Sequence, residues 1–338
     1  MGKKSTAPPA PPNSGWHSWL DYARILATIV IVLFHVPSSP FAKASSPASA
    51  AEILAFFGSA GGALAFFFMT AGCLTNRLFS WSKWGNKLLL LLLPYLTWNV
   101  LCAPGLSDSM TVCRVLGVGA PHIYCADYPL WFVHNLIIFL LLYPLYRRLV
   151  PLLALICGVF MCVYDNQWPW EWMAYIPMPR PSNWLLFLAG WLAAYISLDR
   201  WKVFFLWSAP VWWTASVLNL SHVLPLRSFA PLNGAFCIFS VGAVAAGLLP
   251  ASCGAFTRLA SKASFLCYAA HAPAILLLGR LAEACCPILC LQSWVYYALP
   301  LSIYAASIAG YKLMEKHLPA AMPFLAHQGK LPWNSKKP

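Results

Sequence analysis

The stretch LDYARILATIVIVLFHV, Leu20–Val36, decides the class of fold. From Ile25 to Val36 only Thr28 and His35 interrupt the apolar residues. A barrel strand alternates apolar and polar positions, whereas a membrane-crossing helix reads as an unbroken apolar stretch of about 20 residues. Runs of this second kind appear near residues 19–37, 52–75, 87–103, 128–147, 149–164, 184–199, 202–219, 231–248, 263–282 and 291–313. They predict an all-α integral membrane protein, a bundle of about ten transmembrane helices with no soluble catalytic domain. Pro151 and Pro210 interrupt the fifth and seventh runs, which makes these two the least regular. No internal repeat is visible, which weighs against the inverted-repeat transporter folds.

Composition agrees. Of 338 residues, 60% are hydrophobic and only 9% charged, against about a quarter charged in soluble domains. A net charge of +13 could suggest nucleic acid, but no Lys/Arg-rich soluble module exists to bind it. The bases instead mark one side of a membrane. With ten spans both termini share a side. That side holds Lys3, Lys4, Arg77, Lys83, Lys87, Arg147, Arg148, Arg200, Lys202, Arg258, Lys262, Lys312, Lys316, Lys330, Lys336 and Lys337. The opposite side holds Lys43, Arg114, Arg180, Arg227 and Arg280, and Arg24 lies inside the first span. The asymmetry places both termini in the cytoplasm of a multi-pass protein of the cell (inner) membrane.

The chain divides into a Pro/Ala-rich cytoplasmic tail (1–15), a membrane domain (16–318) and a cytoplasmic C-terminal tail (319–338). An alternative makes the first span a cleaved signal peptide with Ala42-Lys43-Ala44 as its cleavage site, but the leader is then unusually long and Asp21 and Arg24 have no purpose. Of twelve cysteines, Cys73, Cys157, Cys162, Cys237 and Cys267 lie in apolar runs, where cysteine acts as a small hydrophobe. Cys113 and Cys125 share a loop that allows a disulfide if it faces an oxidising compartment. There is no CxxC pair, and no metal site is expected.

Ionisable groups inside hydrocarbon are costly and point to function. The candidates are Arg24, His35, His134 and His271, with Asp21 and Asp199 near span ends. Eleven residues separate Arg24 from His35, a rotation of about 20° beyond three full turns and a rise of about 16 Å. Both therefore project from one helix face, a fixed cation toward the cytoplasm and an imidazole deeper. Asp21, one turn before Arg24, can pair with it and hold its fork. The spacing suits a donor with an anionic head and a reactive tail, the shape of a coenzyme A thioester, and His35 could take the proton from an attacking hydroxyl. The plainer alternative has Arg24 snorkelling to the headgroups and His35 giving one hydrogen bond.

Leu20–Val36 also resembles the opening of the acyltransferase 3 family, whose hallmark is an Arg, ten residues, then a His, matched by Arg24 and His35. NKLLLLLLPYLTWN (Asn86–Asn99) is similar to the family's third-span segment, PLWFVHNL (Pro129–Leu136) to its Leu-Trp-Phe block, FLAGWLAAY (Phe187–Tyr195) to its sixth span, and SFLCYAAHAP (Ser264–Pro273) to its Tyr, His-Ala-Pro segment. The blocks occur in family order and cover Trp19 to about Lys330. The resemblance implies a membrane O-acetyltransferase with catalytic His35 and Arg24, and donor contacts from Arg24, Lys83, Lys87 and Arg77. Acyl-CoA, such as acetyl-CoA, is then a donor substrate, and no cofactor is held permanently. The expected acceptor is a hydroxyl of a glycan or lipid-linked sugar. The bilayer is the other partner, nucleic acid is not one, and a homodimer is compatible.

Two departures stand out: His134 and Asn135 occupy the place of a frequent Arg-Asp pair, and lysines replace arginines near the third span. Lysine keeps the charge but lacks bidentate phosphate geometry. Trp131, His134, Asn135, Tyr268, His271 and Asp21 are substrate contacts or structural bonds, and Trp168–Trp172 either stack on sugar or belong to the interfacial belt. Gly58, Gly61 and Gly62 read as a close-contact helix face, and Phe66–Phe68 as packing. The rival function is a secondary transporter or exporter of an envelope precursor or small anion. Proton-coupled transporters usually bury a carboxylate mid-membrane, whereas all nine acids here fall in loops or near span ends.

Overall fold

The computed structural model describes residues 18–38, 41, 47–78, 80–102, 128–163, 178–220 and 230–328. Among these residues the chain is all helical and forms no strand. Its helices are α1 (Ser18–His35), α2 (Ala48–Phe56), α3 (Ser59–Leu78), α4 (Trp81–Cys102), α5 (Trp131–Tyr146), α6 (Val150–Val163), α7 (Pro181–Ala193), α8 (Leu198–Leu220), α9 (Ala230–Leu248), α10 (Gly254–Cys285), α11 (Val295–His317) and α12 (Met322–Leu325).

All ten apolar runs coincide with helix over most of their length. Among the described residues four helical stretches, Ser18–His35, Ala48–Asn76, Ala230–Leu248 and Gly254–Cys285, are long and apolar enough to cross a membrane. Of the others, α5, α6 and α7 have only 16, 14 and 13 residues, and α4, α8 and α11 have 22, 23 and 23 residues and carry charge at one end, at Lys83 and Lys87, Asp199 to Lys202, and Lys312 to Lys316. The outer surface is nevertheless apolar: Leu145, Leu155, Trp207, Leu277, Leu301 and Leu313 are all exposed. In water this would be an aggregation surface, whereas hydrocarbon solvates it. The protein is a membrane protein.

The interrupting prolines resolve differently. Pro151 occupies the first turn of α6, where its missing N–H has no helical partner to lose. Pro210 lies inside α8, which continues through it, as α4, α10 and α11 continue through Pro94, Pro273 and Pro300. Membrane helices tolerate such prolines because packed neighbours satisfy the freed backbone groups.

α1 is the central helix, packed against α3, α9, α10 and α11. Small residues let the backbones approach closely. A Cβ on Gly62 would stand 3.0 Å from the Cα of Gly234, and one on Gly242 2.7 Å from the Ala23 Cβ. Gly58, at φ +66°, turns the chain between α2 and α3 against the carbonyl of Ala230. The glycine face therefore serves helix contact, and Phe66 and Phe68 fill the core with Phe139, Phe187 and Phe239.

Cys73, Cys157, Cys237 and Cys267 are buried, while Cys162 is exposed. Cys113, Cys125, Trp168, Trp170, Trp172 and the tail 1–15 lie outside the described residues. The sequence-assigned tail 319–338 is described as far as Gln328, and this part is tied down. Trp98 Nε1 donates to Leu325 O at 3.1 Å, His327 Nδ1 to Leu90 O at 2.6 Å, Tyr311 Oη to Gln328 Oε1 at 2.7 Å, and Gln328 Nε2 to Lys262 O at 3.3 Å.

Candidate functional site

The residues singled out on α1 face α10 at both ends of their spacing. Near the start of α1, Arg24 Nη1 donates to Ser261 Oγ at 3.0 Å and lies 3.7 Å from Asp21 Oδ1. Ser261 Oγ in turn donates to the same Asp21 oxygen, which closes a three-residue ring. Among the described residues both contacts of Arg24 go through Nη1, and its side chain is one-third exposed. Asp21 is buried, as its role of counter-ion requires. The neighbouring turn is polar as well: Ser264 Oγ and Tyr304 Oη lie 2.8 Å apart, and Tyr304 donates to Ala260 O.

At the other end, His35 Nδ1 donates to Ile31 O at 2.8 Å, and the His35 ring lies 4.9 Å from that of His271, at 64°. His271 is fully buried, with Nδ1 donating to Tyr268 O at 2.6 Å. Arg24 and His35 are eleven residues apart and Ser261 and His271 ten, a rise of about 16 Å and about 15 Å respectively. The two helices thus run parallel, with their polar residues in register.

The other candidates are placed less tightly. Tyr268 Oη donates to Pro129 O, which joins α10 to the turn before α5 and sets Tyr268 against Phe132 at 5.9 Å. Trp131 and Asn135 lie on α5, the first half-buried against the core and the second buried. His134 stands 5.7 Å from the Tyr95 ring of α4 and is not brought to His35 by any contact among the described residues. Lys87 Nζ donates to Thr75 Oγ1 of α3 at 3.3 Å, Lys83 is exposed, and Arg77 lies in the last turn of α3.

Sequence reasoning missed Ser261, Tyr304 and His327. Nothing in its local sequence pointed to the first, and His327 carried no signal either. Burial depresses its basicity first, the Leu90 carbonyl opposes this, and the nearby charges of Lys87 and Arg24 depress it further. Its bond to Leu90, three residues from Lys87 on α4, sets His327 near one of the expected donor contacts.

Among the described residues no cluster of His, Cys, Asp and Glu could hold a metal ion. The structure thus sets a guanidinium and two imidazoles in register between two parallel helices of a membrane protein. The chain belongs to the acyltransferase 3 family: the family model, described as an acyltransferase domain, matches residues 17–309. It is accordingly a membrane acyltransferase. No curated protein and no solved structure matches the chain.

Proposed function

We propose that this protein transfers an acetyl or similar acyl group from a cytoplasmic acyl-CoA to a hydroxyl of a glycan or lipid-linked sugar at the cell envelope. The observation that carries the proposal is the register of Arg24 and His35 on α1 with Ser261 and His271 on α10. The donor's anionic part meets Arg24, with Lys83, Lys87 and Arg77 at the rim as further positive charge. Its thioester then reaches His35, about 16 Å along the helix.

With Nδ1 donating to Ile31 O, a neutral His35 carries its lone pair on Nε2. It takes the hydroxyl proton as the acceptor oxygen bonds to the thioester carbon. The carbon–sulfur bond breaks, and the imidazolium returns the proton to the departing thiolate. This direct route needs one base and no covalent acyl-enzyme.

Ten crossings with both termini in the cytoplasm of the inner membrane complete the proposal. Helix directions support it. α1 and α10, the first and ninth crossings, run parallel through Asp21–Ser261 and His35–His271. α3 and α9, the second and eighth, run parallel through Gly62–Gly234 and Phe66–Phe239. α8 and α9, the seventh and eighth, run antiparallel through Phe205–Phe239 and Ser216–Asn233. The acids among the described residues lend the transporter alternative no support. Glu52, Asp199, Glu283 and Glu315 are exposed or half-exposed, and buried Asp21 is already paired.

The test is radiolabelled acetyl-CoA added to purified membranes containing the protein, with the labelled product identified. An O-acyl ester on a sugar supports the reading. Label recovered only as acetate or unreacted donor, with the acceptor pool present, overturns it.

A further inference from the structure

Residues 322–328 have two features that a loose chain end would not need. Ala326 is completely buried, in a cluster with Ala263, Leu266, Tyr311 and Met322, and His327 holds a left-handed φ of +53°. That conformation is uncommon outside glycine and persists where the surroundings over-determine it. Here the surroundings are three helices. On α4, Trp98 Nε1 donates to Leu325 O at 3.1 Å and Leu90 O receives His327 Nδ1 at 2.6 Å. On α10, the Phe265 ring lies 5.4 Å from that of His327, and Lys262 O accepts from Gln328 Nε2 at 3.3 Å. On α11, Tyr311 Oη donates to Gln328 Oε1 at 2.7 Å.

The two ends of this tie fall beside two of the expected donor contacts. Leu90 follows Lys87 by three residues, less than one helical turn and a rise of about 4.5 Å. Lys262 directly follows Ser261, whose hydroxyl accepts from the Arg24 guanidinium at 3.0 Å. Two consecutive residues, His327 and Gln328, therefore connect the turn of α4 after Lys87 to the turn of α10 that holds Arg24. The phosphates of one donor present their charges at a set separation, and cations that meet them must keep the matching one. Membrane helices have no hydrophobic drive to hold such a spacing, so packing and polar cross-links fix it.

We propose that His327 and Gln328 are positioning residues for the donor: together they fix the spacing of Lys87 and Arg24 across which the phosphates of an acyl-CoA bind. The inference rests on the reading of Lys87 and Arg24 as donor contacts. His327 and Gln328 act through these cations, and no bond or proton changes at either. Their loss loosens the cationic rim and leaves His35, about 16 Å along α1 from Arg24, in place. The expected signature is weaker donor binding with unchanged chemistry, a higher KM at the same kcat.

Initial rates against acetyl-CoA concentration, in membranes with matched protein levels, provide the test. His327→Ala removes the bond to Leu90. Gln328→Ala removes those to Lys262 and Tyr311 at a position without a left-handed backbone. Each should raise the KM for acetyl-CoA about three- to tenfold, the range of a neutral hydrogen bond, with kcat within about twofold. His327→Asn should restore the parental KM, because its amide N–H lies near the position of Nδ1 and asparagine accepts a positive φ. In a Lys87→Ala background, His327→Ala should raise KM by less than about twofold more, since one of the charges it spaces is gone, whereas a purely structural role would act there in full. Parental KM in both His327→Ala and Gln328→Ala, a kcat that falls as far as KM rises, an Asn variant as impaired as Ala, or full additivity with Lys87→Ala overturns the proposal. Arg24→Ala and Lys87→Ala in the same assay separate the two levels of the account. Parental KM in both removes the donor reading, whereas raised KM in both beside parental KM in His327→Ala and Gln328→Ala removes only the positioning role.

Discussion

Ser261→Ala is the substitution that probes the cytoplasmic half of the site most selectively. It removes the acceptor of Arg24 at 3.0 Å and the donor to Asp21 in one step, and among the described residues leaves Arg24 its 3.7 Å ion pair. A hydrogen bond to a charged group contributes about 1.5–3 kcal/mol. Arg24 is one-third exposed, so water recovers part of its share. The two bonds share one hydroxyl and do not add. The combined loss is therefore about 2 kcal/mol, split between fold stability and the hold on the guanidinium. If half of it bears on donor binding, the KM for acetyl-CoA rises about fivefold. Initial rates against donor concentration in membrane vesicles measure this, and a thermal melt in detergent measures the remainder. Ser264→Ala, one turn on, removes a bond to Tyr304 rather than to Arg24 and serves as the control. A Ser261→Ala protein with parental KM, in membranes where Arg24→Ala has lost donor use, would show that Ser261 does not hold Arg24 for the donor.

Three further outcomes follow from the geometry. Lys87→Ala should raise the donor KM more than Lys83→Ala, because Lys87 is held against Thr75 whereas Lys83 is exposed; the difference, about two- to fivefold, should shrink in 0.5 M salt. Gly190→Ala should cost about 1–3 kcal/mol or more, since the added Cβ would meet the Met69 carbonyl at 2.0 Å, whereas Gly158→Ala, with open space, should be neutral or stabilising; detergent melting curves compare them. His327 titrates below its ordinary value, so the unfolded segment binds the proton more readily than the docked one. Docking of residues 322–328 should therefore be complete above about pH 6.5 and weaken as pH falls below it. Amide exchange at Leu325–Gln328 should accelerate between pH 7.5 and 5.5 after correction for intrinsic rates, and His327→Gln should flatten this dependence.

The parts of the molecule written in local pattern were legible in the sequence. The one-face placement of Arg24 and His35 follows from 100° per residue, and the structure turns both toward α10. Asp21 pairs with Arg24 one turn away, as spacing alone requires. Boundaries were less legible where capping outweighs hydropathy. The seventh run was expected from residue 202, but α8 starts at Leu198 because Ser197 accepts the Arg200 N–H on Oγ and the Trp201 N–H on its carbonyl. Partners far apart in the chain were not legible at all. Ser261 lies 237 positions from Arg24, and nothing in either local sequence names the other. The same holds for His327, whose backbone partner Leu90 sits inside a run of leucines that reads only as apolar surface.

The central claim is that His35 is the base that makes the acceptor hydroxyl nucleophilic. The measurement that reaches it most directly is the initial rate of labelled ester formation by His35→Ala membranes, at saturating acetyl-CoA and with protein level and insertion matched to the parent. Loss of a general base lowers the rate about 10²- to 10⁴-fold, and the account predicts a fall of that size with acetyl-CoA binding retained. Ester formation at the parental rate would contradict it.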